Sequence, residues 1–164
     1  MGEDSHDVGF EAFAAARIPS LLRFGFALAG STVEAEDLVQ EALVRLASRW
    51  ESVTAVGSPE PYVRRTMVNL HVSWWRSRRR EWLRADPPER VIIDSLPNRD
   101  LWVALRKLPP RQRAVVALRY LEDLTEAETA AVLGCSVGTV KSQTAKAITK
   151  LRPTLDKSTL LETS

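Results

Sequence analysis

The chain is poor in the residues that carry most protein chemistry. Its 164 residues include one cysteine, Cys135, and two histidines, His6 and His71. A lone cysteine excludes an intramolecular disulfide and a thiol-rich metal centre, and Cys135 reads as a small apolar residue in a turn. No nucleophile–base pair or carboxylate pair stands at helical spacing, so the residues offer no catalytic group, metal site or cofactor site and the chain does not read as an enzyme. The acidic, polar start, Met1 to Gly9, is no signal peptide. No apolar run approaches a membrane span, which points to a cytoplasmic protein without membrane insertion. The formal charge is only +2. It is unevenly spread, with Glu34, Glu36, Asp37 and Glu41 clustered early and Arg76, Arg78, Arg79, Arg80 and Arg84 in the middle. One surface suits a protein partner and another suits nucleic acid.

The clearest local pattern lies between Leu124 and Leu151. Thr125 and Glu128 have the spacing of a capping box, Gly134 suits the left-handed position that ends a helix, and Ser136 can cap the next one. On that second helix Val140, Thr144, Ala147, Ile148 and Leu151 fall on one side. Lys141, Ser142, Ala145, Lys146 and Thr149 fall on the other. Two short capped helices around a tight turn predict a helix-turn-helix. Its outer face mixes cations with small residues, which suits phosphates, base edges and the thymine methyl of duplex DNA.

The rest reads as helical too, giving an all-α fold of two small helical domains joined by a short linker. Residues 1–9 are expected to be disordered, 10–85 to form the first domain, 86–98 the proline-marked linker, 99–155 the second domain and 156–164 a disordered tail. In the first domain an apolar helix from Phe13 to Ala29 precedes a second capping box, Ser31 with Glu34, and a helix to about Trp50. Ala35, Leu38, Val39, Ala42 and Leu46 make its core stripe, leaving Asp37, Gln40, Glu41, Val44 and Ser48 outside. A loop, Glu51 to Pro61, leads into a helix from Tyr62 to Arg80. There Val63, Met67, Leu70 and Trp74 form the apolar line, opposite Arg65, Asn69, Val72, Arg76 and Arg79, with Arg64, His71, Trp75 and Arg78 flanking. Arginines interleaved with aromatics suit a single strand, whose bases stack and whose phosphates need cations. Adjacent Trp74 and Trp75 cannot both face inward, so Trp75 either covers a neighbouring helix or meets a ligand.

Five motifs occur in order: A-E-D-L-V-Q-E-A-L at Ala35 to Leu43, Y-V-R-R-T-M-V-N-L at Tyr62 to Leu70, S-W-W-R at Ser73 to Arg76, L-P-P-R-Q-R at Leu108 to Arg113, and G-T-V-K-S at Gly138 to Ser142. Together they resemble the extracytoplasmic-function (group IV) RNA polymerase sigma factors, close to the SigE-like subfamily, over nearly all of Phe10 to Leu155. The resemblance implies a sigma region 2 bundle, a sigma region 4 helix-turn-helix, and an alternative sigma factor for promoter-specific initiation. The implied partners are core RNA polymerase, through the clamp helices of its largest subunit, promoter DNA, and an anti-sigma factor as a candidate regulator. Asp37, Gln40 and Glu41 match the clamp contact. Tyr62, Arg65, Asn69, Trp74, Trp75, Arg76 and Arg79 match the minus-ten segment, with the Glu51 to Pro61 loop placed to capture a flipped base. Lys141, Ser142, Ala145, Lys146 and Thr149 fall at the minus-thirty-five reading helix. The competing reading is a stand-alone helix-turn-helix regulator, which would leave the acidic face and the Trp–Arg helix unexplained.

Overall fold

The computed structural model describes the backbone of residues 3–82 and 99–162, and side chains over 9–78 and 99–156. Helices account for the regular structure of these residues: α1 (Glu3–Ala29), α2 (Thr32–Ala47), α3 (Trp50–Val56), α4 (Glu60–Trp82), α5 (Arg99–Lys107), α6 (Pro110–Val116), a π turn (Ala117–Leu121), α7 (Glu126–Leu133) and α8 (Val137–Glu162). The expected linker, residues 86–98, lies outside the described residues, as does the side chain of Arg79.

Each α2 stripe residue is buried, and the stripe packs between α1 and α4. Leu21, Phe24 and Leu28 of α1 meet Leu38, Ala42 and Leu46 of α2 and Val63, Met67 and Leu70 of α4. Full burial of one such side chain is worth about 1.5–3 kcal/mol, so this triple-helix contact dominates the first block. The run Gly9–Ala29 is long and apolar enough to span a membrane by length and composition, contrary to the sequence expectation. In the fold its apolar side is core surface: Phe24 and Leu28 are fully buried. In the second block α5 and α8 enclose Leu105, Leu108, Ala147 and Leu151, while Val115, Ala130 and Val140 close the helix-turn-helix.

Several boundaries differ from the sequence expectation. At the N-terminus, where disorder was expected over residues 1–9, α1 is helical from Glu3. Phe10 meets the Trp50 indole edge-on with centroids 5.7 Å apart, and a helix anchored there propagates outward at little cost. Likewise α8 runs to Glu162 where a disordered tail from 156 was expected. The expected loop from Glu51 to Pro61 holds α3, and only Gly57 to Pro59 separates it from α4. The Ser31 box is half made. Ser31 Oγ accepts from the Glu34 amide, but the Glu34 carboxylate pairs with Arg78 across the α2–α4 contact.

The two blocks dock against each other. Ala114, Ala117, Leu118 and Val132 of the second join the core of the first, and Phe26 meets Trp102 with centroids 5.0 Å apart. Two helix ends receive guanidinium groups from the opposite block. Gly30, after α1, has φ of 69°, and a Cβ there would lie 2.9 Å from the Arg106 side chain. Gly134, after α7, has φ of 66°, and a Cβ would lie 2.8 Å from Arg65 Nη2. Both glycines answer two demands, the left-handed turn and the close approach. Helix C-termini carry partial negative charge, which favours cations at both places. Arg113, 5% exposed, donates to Leu28 O at the end of α1 and to Leu105 O, Arg106 O and Leu108 O within its own block. Arg64 adds an ion pair to Glu122.

His71 was expected at a helix flank, but it is buried beside this junction with Nε2 unpartnered. Burial first, and the Arg113 charge second, lower its pKa from 6.5 to about 4. Native His71 therefore stays neutral while the unfolded chain takes up a proton below pH 6.5. The stability it contributes is complete above pH 6.5 and is lost as pH falls through that value toward 4, by about 2 kcal/mol at pH 5. A 164-residue chain should lose roughly 4–8 °C of Tm from this group between pH 7 and 5. His71→Leu should flatten that limb of a thermal-melt series, and an unaltered slope would show that other groups set it.

Candidate nucleic-acid interface

The helix-turn-helix is built by local hydrogen bonds. Thr125 Oγ1 accepts from Glu128 N at 3.1 Å and the Glu128 carboxylate accepts from Thr125 N at 2.7 Å, closing the capping box. That backbone bond holds the Glu128 carboxyl below its ordinary pKa. Gly134 takes the left-handed position, and Ser136 Oγ accepts from Thr139 N at 3.1 Å to start α8. Val140, Ala147 and Leu151 are then buried, which turns Lys141, Ser142, Ala145, Lys146 and Thr149 outward, all five exposed. Thr149 Oγ1 already donates to Ala145 O, so its hydroxyl retains only acceptor capacity. Lys141 lies 3.9 Å from Glu126, a loose pair on an exposed face that a phosphate can displace. The docking of the two blocks leaves this row open to solvent.

Along α4 the apolar line is buried through Val63, Met67 and Leu70, and Trp74 packs against the core. Arg65, Asn69 and Arg76 are exposed, while Tyr62 and Trp75 are half-buried. Trp75 has contacts of its own, and Arg65 rests on Gly134, so among the described residues the expected set does not form one continuous free row. Tyr62 and Asn69 instead open onto a polar cleft of about 420 Å³ shared with Thr66, Arg45, Ser48 and Arg49. Its far wall is the end of α2. None of residues 51–61 is in its lining. Sequence reasoning missed Arg45, near the end of α2, and Arg49, at the corner between α2 and α3, both of which line the cleft with Tyr62.

On the other side of α2, Asp37 and Gln40 are exposed and Glu41 is half-exposed, accepting from Arg45 Nε at 3.0 Å. Beside them the α1–α2 seam forms an almost wholly apolar groove of about 510 Å³, with Ile18, Leu22, Val39 and Val44 in its lining. Val44 is 60% exposed. An apolar centre with a polar rim is the anatomy of a protein interface. The sequence alone displayed the acids but not the groove, which requires α1 beside α2. Among the described residues no cluster of histidine, cysteine and carboxylates could hold a metal ion.

The comparisons agree with this arrangement. Residues 13–81 match Sigma-70 region 2 and residues 98–151 match Sigma-70, region 4. The chain is 38% identical over 152 residues to the RNA polymerase sigma-E factor of Streptomyces avermitilis, covering 90% of this chain and 85% of that one. It is 34% identical to the ECF RNA polymerase sigma factor EcfG of Rhodopseudomonas palustris, covering 83% and 79%. Among solved structures, the sigma factor RpoE of Bartonella quintana, in complex with the anti-sigma factor NepR, superposes with a TM-score of 0.73 at 26% identity, covering 90% of this chain and 97% of that one. CnrH, in complex with the cytosolic domain of CnrY, shares the fold with a TM-score of 0.68 at 21% identity, covering 92% and 90%. A stand-alone helix-turn-helix regulator would match in the second block alone. With both sigma regions matched in order and close relatives along most of its length, the chain belongs to the extracytoplasmic-function sigma factors, the subunits that direct RNA polymerase to promoters.

Proposed function

We propose a division of labour among three faces of this sigma factor. Asp37, Gln40 and Glu41, with the apolar groove beside Val44, dock on the clamp helices of the largest polymerase subunit. Tyr62, Arg65, Asn69, Trp74, Trp75, Arg76 and Arg79 serve the minus-ten element, and Lys141, Ser142, Ala145, Lys146 and Thr149 serve the minus-thirty-five element. The polar cleft between Tyr62, Asn69 and the end of α2 carries this reading, since it offers an aromatic face, amide hydrogen-bonding groups and two arginines around a space that can admit a base. Melting then needs no ATP. Extruding a base costs a few kcal/mol, and a cleft that binds it unpaired offsets that cost. The factor does this without a catalytic step of its own, in the cytoplasm, with residues 86–98 linking the two DNA-binding blocks. The Bartonella relative was solved with an anti-sigma factor, which supports a regulator of that class for this chain as well.

Transcription reconstituted with core polymerase tests the assignment. Asn69→Ala should assemble with polymerase normally and lower open-complex formation on duplex promoters, by an amount corresponding to about 1–3 kcal/mol per lost base contact. A template already opened at minus ten should restore most of the activity. Equal losses on duplex and opened templates would remove Asn69 from strand opening.

A further inference from the structure

The outward row of α8 carries two lysines in different states. Lys141 Nζ lies 3.9 Å from the carboxylate of Glu126, the first residue of α7, whereas among the described residues no ion pair engages Lys146. Glu126 is not part of the device that starts its own helix. Thr125 and Glu128 close the capping box between themselves, and the Glu128 carboxylate stays on the Thr125 amide. The Glu126 side chain, 37% exposed, reaches across to α8 instead, so a carboxylate stands at the edge of a face otherwise made of cations, hydroxyls and a methyl group. Both partners belong to the second block. The pair therefore persists whether or not the two blocks are docked.

Its position matters because a helix-turn-helix meets a duplex unequally. The second helix enters the major groove with its early residues at base edges, while the first crosses the sugar–phosphate backbone. Lys141, the fifth residue of α8, thus has two kinds of acceptor within reach: neutral base edges, such as guanine O6 and N7, and anionic phosphates. An ammonium has three N–H donors, so it can hold Glu126 and a neutral base acceptor together. A phosphate is different. It must displace Glu126 or come in beside it, and either way one anion is left against another.

We propose that Glu126 is a specificity-determining residue of this sigma factor, steering Lys141 away from phosphates and toward base edges and so suppressing sequence-independent binding of duplex DNA. This rests on the assignment of the α8 row to duplex. The carboxylate penalises any duplex that offers Lys141 only phosphates and spares one whose base edges match.

The test uses holoenzyme assembled from core polymerase and the full chain. Two probes come from a duplex library randomised upstream of the minus-ten segment: the duplex that the parent enriches most, and a member that it does not enrich. Glu126→Gln keeps the length of the side chain and removes its charge. It should tighten binding to the unenriched duplex about five- to tenfold, the scale of one repulsion between unit charges in water. The slope of log affinity against log salt should steepen there by ~0.9, the release expected when one more cation settles on a phosphate. Affinity for the enriched duplex should change by less, so discrimination between the two probes falls. In a Lys141→Ala background the same change should add nothing, and matched thermal melts separate folding from binding. Equal slope and discrimination in a folded Glu126→Gln protein would overturn the proposal, as would a gain that survives in Lys141→Ala. A Lys141→Ala protein that binds both duplexes like the parent would instead remove the α8 row from duplex DNA, and the proposal would fall with that assignment.

Discussion

Arg113→Ala should lower stability by about 3–5 kcal/mol, the range for removing one partner of a buried charged network. The guanidinium occupies the centre of the domain junction and donates to four carbonyl oxygens, three from its own block and one, Leu28 O, from α1. Burial first and Arg106 second lower its pKa to about 10, still far enough above neutrality to keep the charge. Truncation strands those acceptors in a dry interface. Tm should fall by roughly 6–20 °C. Arg113→Lys should recover little, because an ammonium on a single stem cannot reproduce the planar fork that reaches both blocks. Calorimetry adds a second readout. Losing the hydrogen bond from this side chain to Leu28 O of α1 should loosen the coupling between blocks and broaden the transition or split it in two. A sharp transition within about 1 °C of the parent would show that apolar contacts alone hold the junction.

Glu41→Lys should leave the fold nearly intact while weakening polymerase binding at least about tenfold. Inside the protein Glu41 makes one exposed i, i+4 pair with Arg45, worth about 0.3–0.5 kcal/mol. Reversal sets two cations side by side, a penalty of similar size. Against a basic clamp surface the same reversal slows association and hastens release. Val44→Glu probes the apolar part of that face without touching the ion pair, and should also reduce affinity. A binding titration against core polymerase with matched thermal melts decides the matter: normal affinity in a folded Glu41→Lys protein would remove this face from the polymerase contact.

What could be read from the residues was whatever depended on neighbours a few positions away. Thr125 with Glu128, Gly134 and Ser136 specify α7, its turn and the start of α8 through bonds within four residues, and the structure makes each of them. The α2 stripe follows from period alone. Features that need a distant partner were hidden. Glu34 has the spacing for a capping box but finds Arg78, forty-four residues away. His71 looks like a flank of α4, yet the fold buries it near the Arg113 charge. Short α3 has no fully buried residue, and only Trp50 and Val53 pack against the core, too few to reveal a helical period. Arg113 carries no sequence sign that its charge will be satisfied by carbonyls alone. The row Lys141, Ser142, Ala145, Lys146 and Thr149 is one exposed surface, whereas along α4 Arg65 is drawn against Gly134 of the second block, and Tyr62 and Asn69 share a cleft with Arg45 and Arg49.

The contact between Arg65 and Gly134 sets a competition. In the proposed assignment Arg65 serves the opened minus-ten strand, yet here its guanidinium lies against the turn of the helix-turn-helix. One side chain cannot occupy both places, so the turn acts as a tethered rival of the promoter. A covalently tethered rival works at an effective concentration on the order of millimolar, far above any single promoter in a cell. Free DNA would rarely win Arg65 by mass action. A partner that grips both blocks and draws them apart removes the rival at once, which makes dependence on polymerase a property of the factor's own chain as well as of the enzyme it joins.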